Sequence, residues 1–430
     1  MSPEALAFIV FSAGMLLLMG IGMNMALALV LTGAGMAWVL NFWDTQLLAQ
    51  NLVAGIDSFP LLAVPFFILA GELMNSGGIS RRIIDMAQAW VGHIRGGLGY
   101  VAIAAAVLMA SMSGSALADT AALATILLPM MKRQGYPMAT SAGLLASGGI
   151  IAPIIPPSMP FVIYGVTTNT SISGLFLSGI VPGIIMGAGL LVAWRLVLRR
   201  IELPEGEPMP MKDRLRATVR AAWAMLMPLI IIGGMKTGVF TPTEAAVVAA
   251  FYALMVALLV HREMRIVEVG PVLVCAARTT AIVMFLCAGA QVASYMITLA
   301  DLPAVLTNWL GPLVQSPRLL MAVMMVVLVL IGTALDLTPT ILIFGPVMLP
   351  IATKAGIDPV YFGLMFVLNG AIGLITPPVG TVLNVVAGVG RLSLHQVIKG
   401  VNPFLITYVL ILALFVAFPQ LVTLPVAWMR

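Results

Sequence analysis

Long apolar stretches separated by short polar loops dominate the chain, running approximately over residues 5–21, 24–42, 59–75, 98–131, 138–168, 174–197, 218–236, 243–260, 271–298, 318–353, 359–390 and 402–425. A membrane-crossing helix needs about 20 largely apolar residues. The pattern therefore predicts an all-α polytopic membrane protein, a single integral unit over 1–430 without a sizeable soluble domain. Two stretches are too long for one crossing. Residues 98–131 are interrupted by Ser113-Gly114-Ser115, and residues 318–353 by Leu335-Asp336-Leu337-Thr338-Pro339. Each is predicted to be a re-entrant helical hairpin. Non-helical backbone at membrane depth persists only where protein or a water-filled cavity satisfies its polar groups, which makes both tips candidate binding sites.

Composition sharpens this picture. Apolar residues make up 61% and charged residues 9% of the chain, with a mean hydropathy of +1.11, whereas soluble domains carry roughly a quarter charged residues. The net charge of +5 resides in short loops rather than in a nucleic-acid patch. If both hairpins return to the side they entered, the basic clusters Arg81 to Arg95, Lys132-Arg133, Arg195 to Arg220, Arg262 to Arg265 and Arg391 to Lys399 share one face. Lys236, Arg318, Lys354 and Arg430 remain on the other. The positive-inside rule assigns the basic face to the cytoplasm. The expected layout is a bacterial inner-membrane protein with a periplasmic N-terminus, a retained first helix, ten full crossings and two hairpins pointing at each other. Arg278, inside its helix, is expected to snorkel to the cytoplasmic surface. The amphipathic segment from Ile79 to Ile94 is expected to lie along the cytoplasmic interface.

Sliding the chain against itself by 221 positions pairs Pro129 with Pro350, Gly135 with Gly356, Gly149 with Gly370, Pro156-Pro157 with Pro377-Pro378, Gly179 with Gly400 and Pro182 with Pro403. Any one pair is explained by helix kinking or packing. The shared register points to duplication. The first repeat spans about 98–197, with hairpin 98–131 and broken helix 138–168. The second spans about 318–425, with hairpin 318–353 and broken helix 359–390, and the remaining helices form a scaffold. Five crossings separate the hairpins, so the second copy is inverted. Secondary transporters of this kind hold substrate and coupling ions near the midplane at broken helices.

Hydroxyls and freed carbonyls are hard oxygen ligands suited to an alkali cation. One candidate sodium region comprises Ser113, Gly114 and Ser115 with Pro153, Ile154 and Pro156. Its counterpart comprises Gly332, Thr333, Asp336 and Thr338 with Gly373 and Thr376. Taken singly, Ser113, Ser115, Ser158 and Thr376 also read as capping or packing residues. The half-helices beginning near Ser158 and Gly380, preceded by Pro157 and Pro378, would offer N–H groups and positive dipole ends to a substrate carboxylate. Asp119 and Asp336 belong near the tips, while Glu72 and Glu244 fit helix ends, Thr241-Pro242-Thr243-Glu244 reading as a helix start. Cys275 and Cys287 match no disulfide or zinc pattern. His93, His261 and His395 lie at cytoplasmic ends. No Walker A motif, His-Glu-x-x-His or Gly-x-Gly-Asp is present, so ATP hydrolysis and catalysis are not expected.

With these residues in place, the sequence closely resembles the large membrane subunit of the tripartite ATP-independent periplasmic (TRAP) transporters, end to end. The resemblance is carried by Phe59-Pro60-Leu61-Leu62-Ala63-Val64-Pro65-Phe66-Phe67-Ile68-Leu69-Ala70-Gly71-Glu72, Ser113-Gly114-Ser115-Ala116-Leu117-Ala118-Asp119-Thr120, Gly148-Gly149-Ile150-Ile151-Ala152-Pro153-Ile154-Ile155-Pro156-Pro157-Ser158 and Gly373-Leu374-Ile375-Thr376-Pro377-Pro378-Val379-Gly380. It implies a scaffold with a mobile elevator domain carrying both hairpins, sodium-coupled uptake of a small carboxylate, and two partners. These are a small four-helix membrane subunit, expected here as a separate chain, and a periplasmic substrate-binding protein. The family's ion-binding regions would fall at Ser113 to Ser115, Pro153 to Pro157, Gly332 to Thr338 and Gly373 to Pro377. The rival reading is a stand-alone sodium-coupled carboxylate symporter or antiporter of related fold.

Overall fold

The computed structural model describes residues 3–199, 201, 203, 205–301, 314–333 and 335–429. Arg200 and Arg430 of the charge map, and Ala334 of the second tip, lie outside the described residues. Every regular element among the described residues is helical.

Seven described helices are long and apolar enough to cross a bilayer unaided: Phe59–Ser76, Ile172–Leu198, Met211–Lys236, Pro242–Val260, Ile266–Leu299, Leu337–Lys354 and Leu394–Ala417. Six of them coincide with expected crossings, the seventh, Leu337–Lys354, belonging to the second interrupted stretch, and four of the ten expected crossings are not among them. Met25–Val39, for example, has 15 residues, about 22 Å of helix. Two spans keep the bounds of the hydropathy pattern to within one residue but change helix type inside them, and one expected span is divided. The helix through Phe59 begins as a 3-10 turn, Phe59–Leu62, with Pro60 in the first turn, where its missing N–H costs no helical hydrogen bond. The helix from Pro242 ends in a π turn, Val256–Val260. The last apolar stretch is two helices, Leu394–Ala417 and Gln420–Met429, parted at Phe418 and Pro419. A further helix, Thr45–Ala54, forms where none was expected, its start fixed by the Asp44 carboxylate, which accepts from the backbone of Gln46 at 2.8 Å and Leu47 at 3.3 Å.

The long interrupted stretches fold as helix pairs. The first has arms Gly97–Ser113 and Ala116–Arg133, and the second Pro317–Gly332 and Leu337–Lys354. In each, the two arms pack on one another. Each is followed by an interrupted helix, Met138–Gly149 with Met159–Thr167, and Pro359–Gly373 with Thr381–Gly390. The packing between the halves is reciprocal. Met159–Thr167 leans on the second hairpin's inner arm Leu337–Lys354, and Thr381–Gly390 leans on the first hairpin's inner arm Ala116–Arg133. Met138–Gly149 meets Leu394–Ala417 where Gly143 lies against the backbone of Gly400, a contact close enough that neither position has room for a side chain.

The helix Ile172–Leu198 ties the first hairpin in place. Trp194, fully buried, donates from Nε1 to the Gly96 carbonyl at 3.1 Å and stacks on Tyr136, whose hydroxyl accepts from the Leu98 backbone at 3.2 Å. The remaining helices pack beside this body: Met25–Val39 and Ala63–Ser76 against Ile266–Leu299, and Ala63–Ser76 against Pro242–Met255. The amphipathic segment forms Ile79–Val91, with Ile79, Ile83, Ile84, Met86 and Ala87 buried and Arg81 and Asp85 exposed. It is braced on Met211–Lys236, where Trp90 Nε1 donates to Thr218 Oγ1 at 2.9 Å and the Arg214 guanidinium lies 5.9 Å from the Trp90 ring.

Candidate functional site

The first hairpin tip is built from three residues with distinct tasks. Gly114 turns the chain with φ 61°, a left-handed conformation that costs any other L-residue free energy. Ser113 Oγ accepts from Ser115 N at 3.1 Å and donates to Asp119 Oδ1 at 2.5 Å, closing the turn upon itself. Ser115 caps the returning arm, its Oγ accepting from Ala118 N at 3.3 Å. The tip docks on the first break: a Cβ on Gly114 would lie 2.9 Å from the Pro157 carbonyl oxygen and 3.0 Å from Met159 N. Asp119 is 1% exposed and its Oδ2 has no partner, and the buried Thr120 Oγ1, against Gly149, has none either.

At the second tip the closure is glycine on glycine. A Cβ on Gly332 would lie 3.2 Å from Gly373 Cα, and one on Gly373 would lie 2.8 Å from Gly332 Cα. Thr333 Oγ1 donates to Leu330 O at 2.7 Å and Thr376 Oγ1 to Ile372 O at 2.8 Å. A hydroxyl whose proton is committed to its own helix presents lone pairs outward, which suits a cation and repels a carboxylate. Asp336 is the N-cap residue of Leu337–Lys354 and stands beside the Thr381 hydroxyl. Thr338 lies one residue into that arm and is half-buried.

The two breaks share one feature. Among the described residues, the carbonyls of Ile154, Ile155, Pro156 and Pro157 accept no hydrogen bond, and neither do those of Ile375, Thr376, Pro377 and Pro378, the positions related to them by the 221-residue register. Proline removes donors locally, and the interrupted helix leaves carbonyls without an N–H four residues on. Pro153 is different: its carbonyl accepts from Ser158 Oγ at 2.5 Å. The Ile154 carbonyl is turned onto Gly179, where only a glycine fits.

The two half-helix N-termini also differ. Ser158 is fully buried, its Oγ accepts from Phe161 N at 3.4 Å, and Met159 N lies against Gly114, so the first terminus is covered from within. At the second, Gly380 adopts φ 46°, no side chain caps the helix, and Pro378 and Val379 are exposed. Each tip is therefore brought onto its own break, and the two half-helix N-termini are left in unequal environments. Asn369 escaped the sequence reading. Fully buried in Pro359–Gly373, it donates from Nδ2 to Met325 O at 2.6 Å and leaves Oδ1 unpartnered. A lone amide in an apolar run was its signal. Arg278 is exposed on its helix, and the expected helix start at Thr241 is closed by a capping box with Glu244.

Residues 11–421 match the profile of the DctM component of tripartite ATP-independent periplasmic transporters. The chain belongs to this family. It is 51% identical over 425 residues to the 2,3-diketo-L-gulonate TRAP transporter large permease protein YiaN of Escherichia coli, covering 99% of this chain and 100% of that one. The C4-dicarboxylate TRAP transporter large permease protein DctM of Pseudomonas aeruginosa is 38% identical over 392 residues, 91% of this chain and 92% of its own. The sialic acid TRAP transporter large permease protein SiaM of Vibrio cholerae is 38% identical over 410 residues, 95% of each. The crystal structure of the Alcanivorax borkumensis YdaH transporter shares the fold at a TM-score of 0.63, with 15% identity over 86% of this chain and 87% of that one. This TRAP large permease is thus a multi-pass membrane protein of a bacterial transporter, and its relatives are transporter permeases, not enzymes.

Proposed function

We propose that this chain is the large permease subunit of a sodium-coupled, binding-protein-dependent secondary transporter that imports a small organic acid by alternating access across the bacterial inner membrane, with its N-terminus in the periplasm. The duplicated set of four unpartnered carbonyls, each set beside a hairpin tip, carries the reading. Such groups at membrane depth cost several kcal/mol each unless something polar meets them. An alkali cation is the partner for which bare carbonyls and outward-facing hydroxyl oxygens are suited.

One sodium region then comprises Ser113, Gly114, Ser115, Pro153, Ile154 and Pro156, and the other Gly332, Thr333, Asp336, Thr338, Gly373 and Thr376. With the Pro153 carbonyl held by Ser158 and that of Ile154 facing Gly179, Pro156 and Pro157 are the first break's better-placed oxygens. Reciprocal packing of the two interrupted helices and hairpins supports an inverted repeat over about 98–197 and 318–425 that moves as one elevator body against the scaffold helices. The substrate carboxylate would meet the half-helix N-termini at Pro157-Ser158 and Pro378 to Gly380, the second being the more open. Relatives named for 2,3-diketo-L-gulonate, C4-dicarboxylates and sialic acid support an organic acid as cargo. A small four-helix membrane subunit and a periplasmic binding protein complete the assembly.

The test is reconstitution of the chain with both partners in proteoliposomes, following uptake under an inward sodium gradient while each component is omitted. Uptake that needs sodium and the binding protein is the expected outcome. Uptake without the binding protein would mean a stand-alone symporter instead, and uptake indifferent to sodium would remove the cation regions.

A further inference from the structure

A cavity of about 670 Å³ opens between the amphipathic helix Ile79–Val91, the start of Met211–Lys236 and the end of the helix through Val260, with no hairpin residue in its lining. Its charged lining is Arg81, Arg82, Asp85, Arg220 and Glu263, with His261 beside them. Arg82 is committed: its Nη2 lies 2.7 Å from Glu263 Oε1, and its Nη1 donates to the Gly78 carbonyl at 3.3 Å. The Glu263 carboxylate lies against Gly78, which has φ 67°, at the cavity's rim. Arg81 and Arg220, approaching from two different helices, make no ion pair among the described residues.

Three arginines face two carboxylates. Burial, and next the Arg82 charge, push the His261 imidazole below its usual range, so it adds no charge near neutral pH. The cavity therefore carries an excess of one positive charge, with two guanidiniums free to fork onto oxygens. Its surroundings are apolar and outward-facing: Val260 lines it, and Val219 and Trp223, beside and one turn beyond Arg220, are 67% and 44% exposed. A tryptophan and basic side chains at the end of an apolar surface are what a bilayer interface selects.

We propose that this cavity binds a singly charged phosphate ester, with Arg81 and Arg220 holding the phosphate oxygens. The charge excess of one matches a phosphodiester, and the exposed apolar side chains of Val260 in the lining and of Val219 and Trp223 on the helix that carries Arg220 match the acyl chains of a phospholipid. A bound headgroup would pin the amphipathic helix to Met211–Lys236 and the end of Pro242–Val260.

Full-length chain purified in mild detergent, wild type and Arg220→Gln, would be titrated with phosphatidylglycerol and separately with glycerol 3-phosphate and inorganic phosphate, reading bound mass by native mass spectrometry. Arg220 has no protein ion pair, so Arg220→Gln keeps the fold, and Arg262→Gln, outside the cavity, serves as control. The expected result is one tightly retained phospholipid whose affinity falls about tenfold, which is about 1.4 kcal/mol, in Arg220→Gln and further in Arg81→Gln/Arg220→Gln, the order expected for losing one charge-assisted hydrogen bond. Competition by glycerol 3-phosphate or inorganic phosphate would keep the phosphate site and make its source soluble. Lipid and phosphate binding equal in wild type, Arg220→Gln and Arg262→Gln would overturn the proposal.

Discussion

Substituting Gly114 by alanine tests the docking of the first tip on its break. Two costs are involved, and the structure separates them. The left-handed backbone at φ 61° costs an alanine about 1–2 kcal/mol. The added methyl would meet Pro157 O at 2.9 Å, Met159 N at 3.0 Å and Ser158 Cα at 3.1 Å, all backbone atoms that cannot rotate away. Overpacking of this kind costs about 1–3 kcal/mol. The sum of about 2–5 kcal/mol corresponds to a ratio of docked to undocked tip lowered roughly 30-fold to several-thousand-fold. Gly135→Ala isolates the first cost, because Gly135 has φ 76° with nothing within 4 Å. In reconstituted vesicles, Gly114→Ala should raise the sodium concentration for half-maximal uptake and lower the maximum, while Gly135→Ala leaves both near wild type. Equal sodium curves for the two variants would refute the idea that the tip must sit on the break for the cation to bind.

Gly373→Ala should impair sodium-driven uptake in the same manner, since its Cβ would fall 2.8 to 3.0 Å from the Gly332 backbone, whereas Gly388→Ala, with open space around it, should be tolerated. Ser158→Ala leaves the buried Pro153 carbonyl without its hydroxyl donor and Phe161 N without its cap, and denaturation should show a loss of about 1–3 kcal/mol. His261 has a folded pKa below its ordinary value, so its contribution is present above the unfolded pKa of about 6.5 and is lost as pH falls through the folded value. Thermal unfolding of His261→Gln should accordingly decline less than wild type on acidification below pH 6.5.

The hairpins and breaks were legible because proline, glycine and clustered hydroxyls interrupt apolar runs that have no other reason to stop. Ser113-Gly114-Ser115 and Pro156-Pro157 mark the chain turns observed. The helix start at Thr241 was equally local. What escaped depends on distance or on uniform chemistry. The π turn at Val256–Val260 lies in an unbroken apolar run whose side chains do not distinguish it from α-helix. The Ser158 bond to the Pro153 carbonyl, and the contact of Ile154 with Gly179, exist only once the break has folded, and they remove two carbonyls that composition alone offered to an ion. The split at Phe418-Pro419 was readable in principle, because Pro419 has no N–H to continue the helix.

The reciprocal packing bears on how two cation regions could act together. The half-helix Met159–Thr167 follows the first break yet rests on the second segment: a Cβ on Gly363 would meet Tyr164 Cε1 at 2.5 Å, and Tyr164, fully buried, packs on Phe366 at 5.5 Å between ring centroids. In return Thr381–Gly390, which follows the second break, lies on the first hairpin, with Leu128 Cδ1 3.1 Å from a Cβ on Gly390. If the two regions proposed above bind cations, ordering one tip would stiffen the surface that supports the other break, and the second cation would meet a site with less conformational freedom left to lose. This predicts sodium dependence with a Hill coefficient above one. Gly363→Ala, which wedges the seam between segments without touching either tip, should bring that coefficient toward one while uptake persists at saturating sodium. A wild-type coefficient of one, or a coefficient unmoved in Gly363→Ala, would mean that the two regions bind independently and that the interlocked helices serve stability alone.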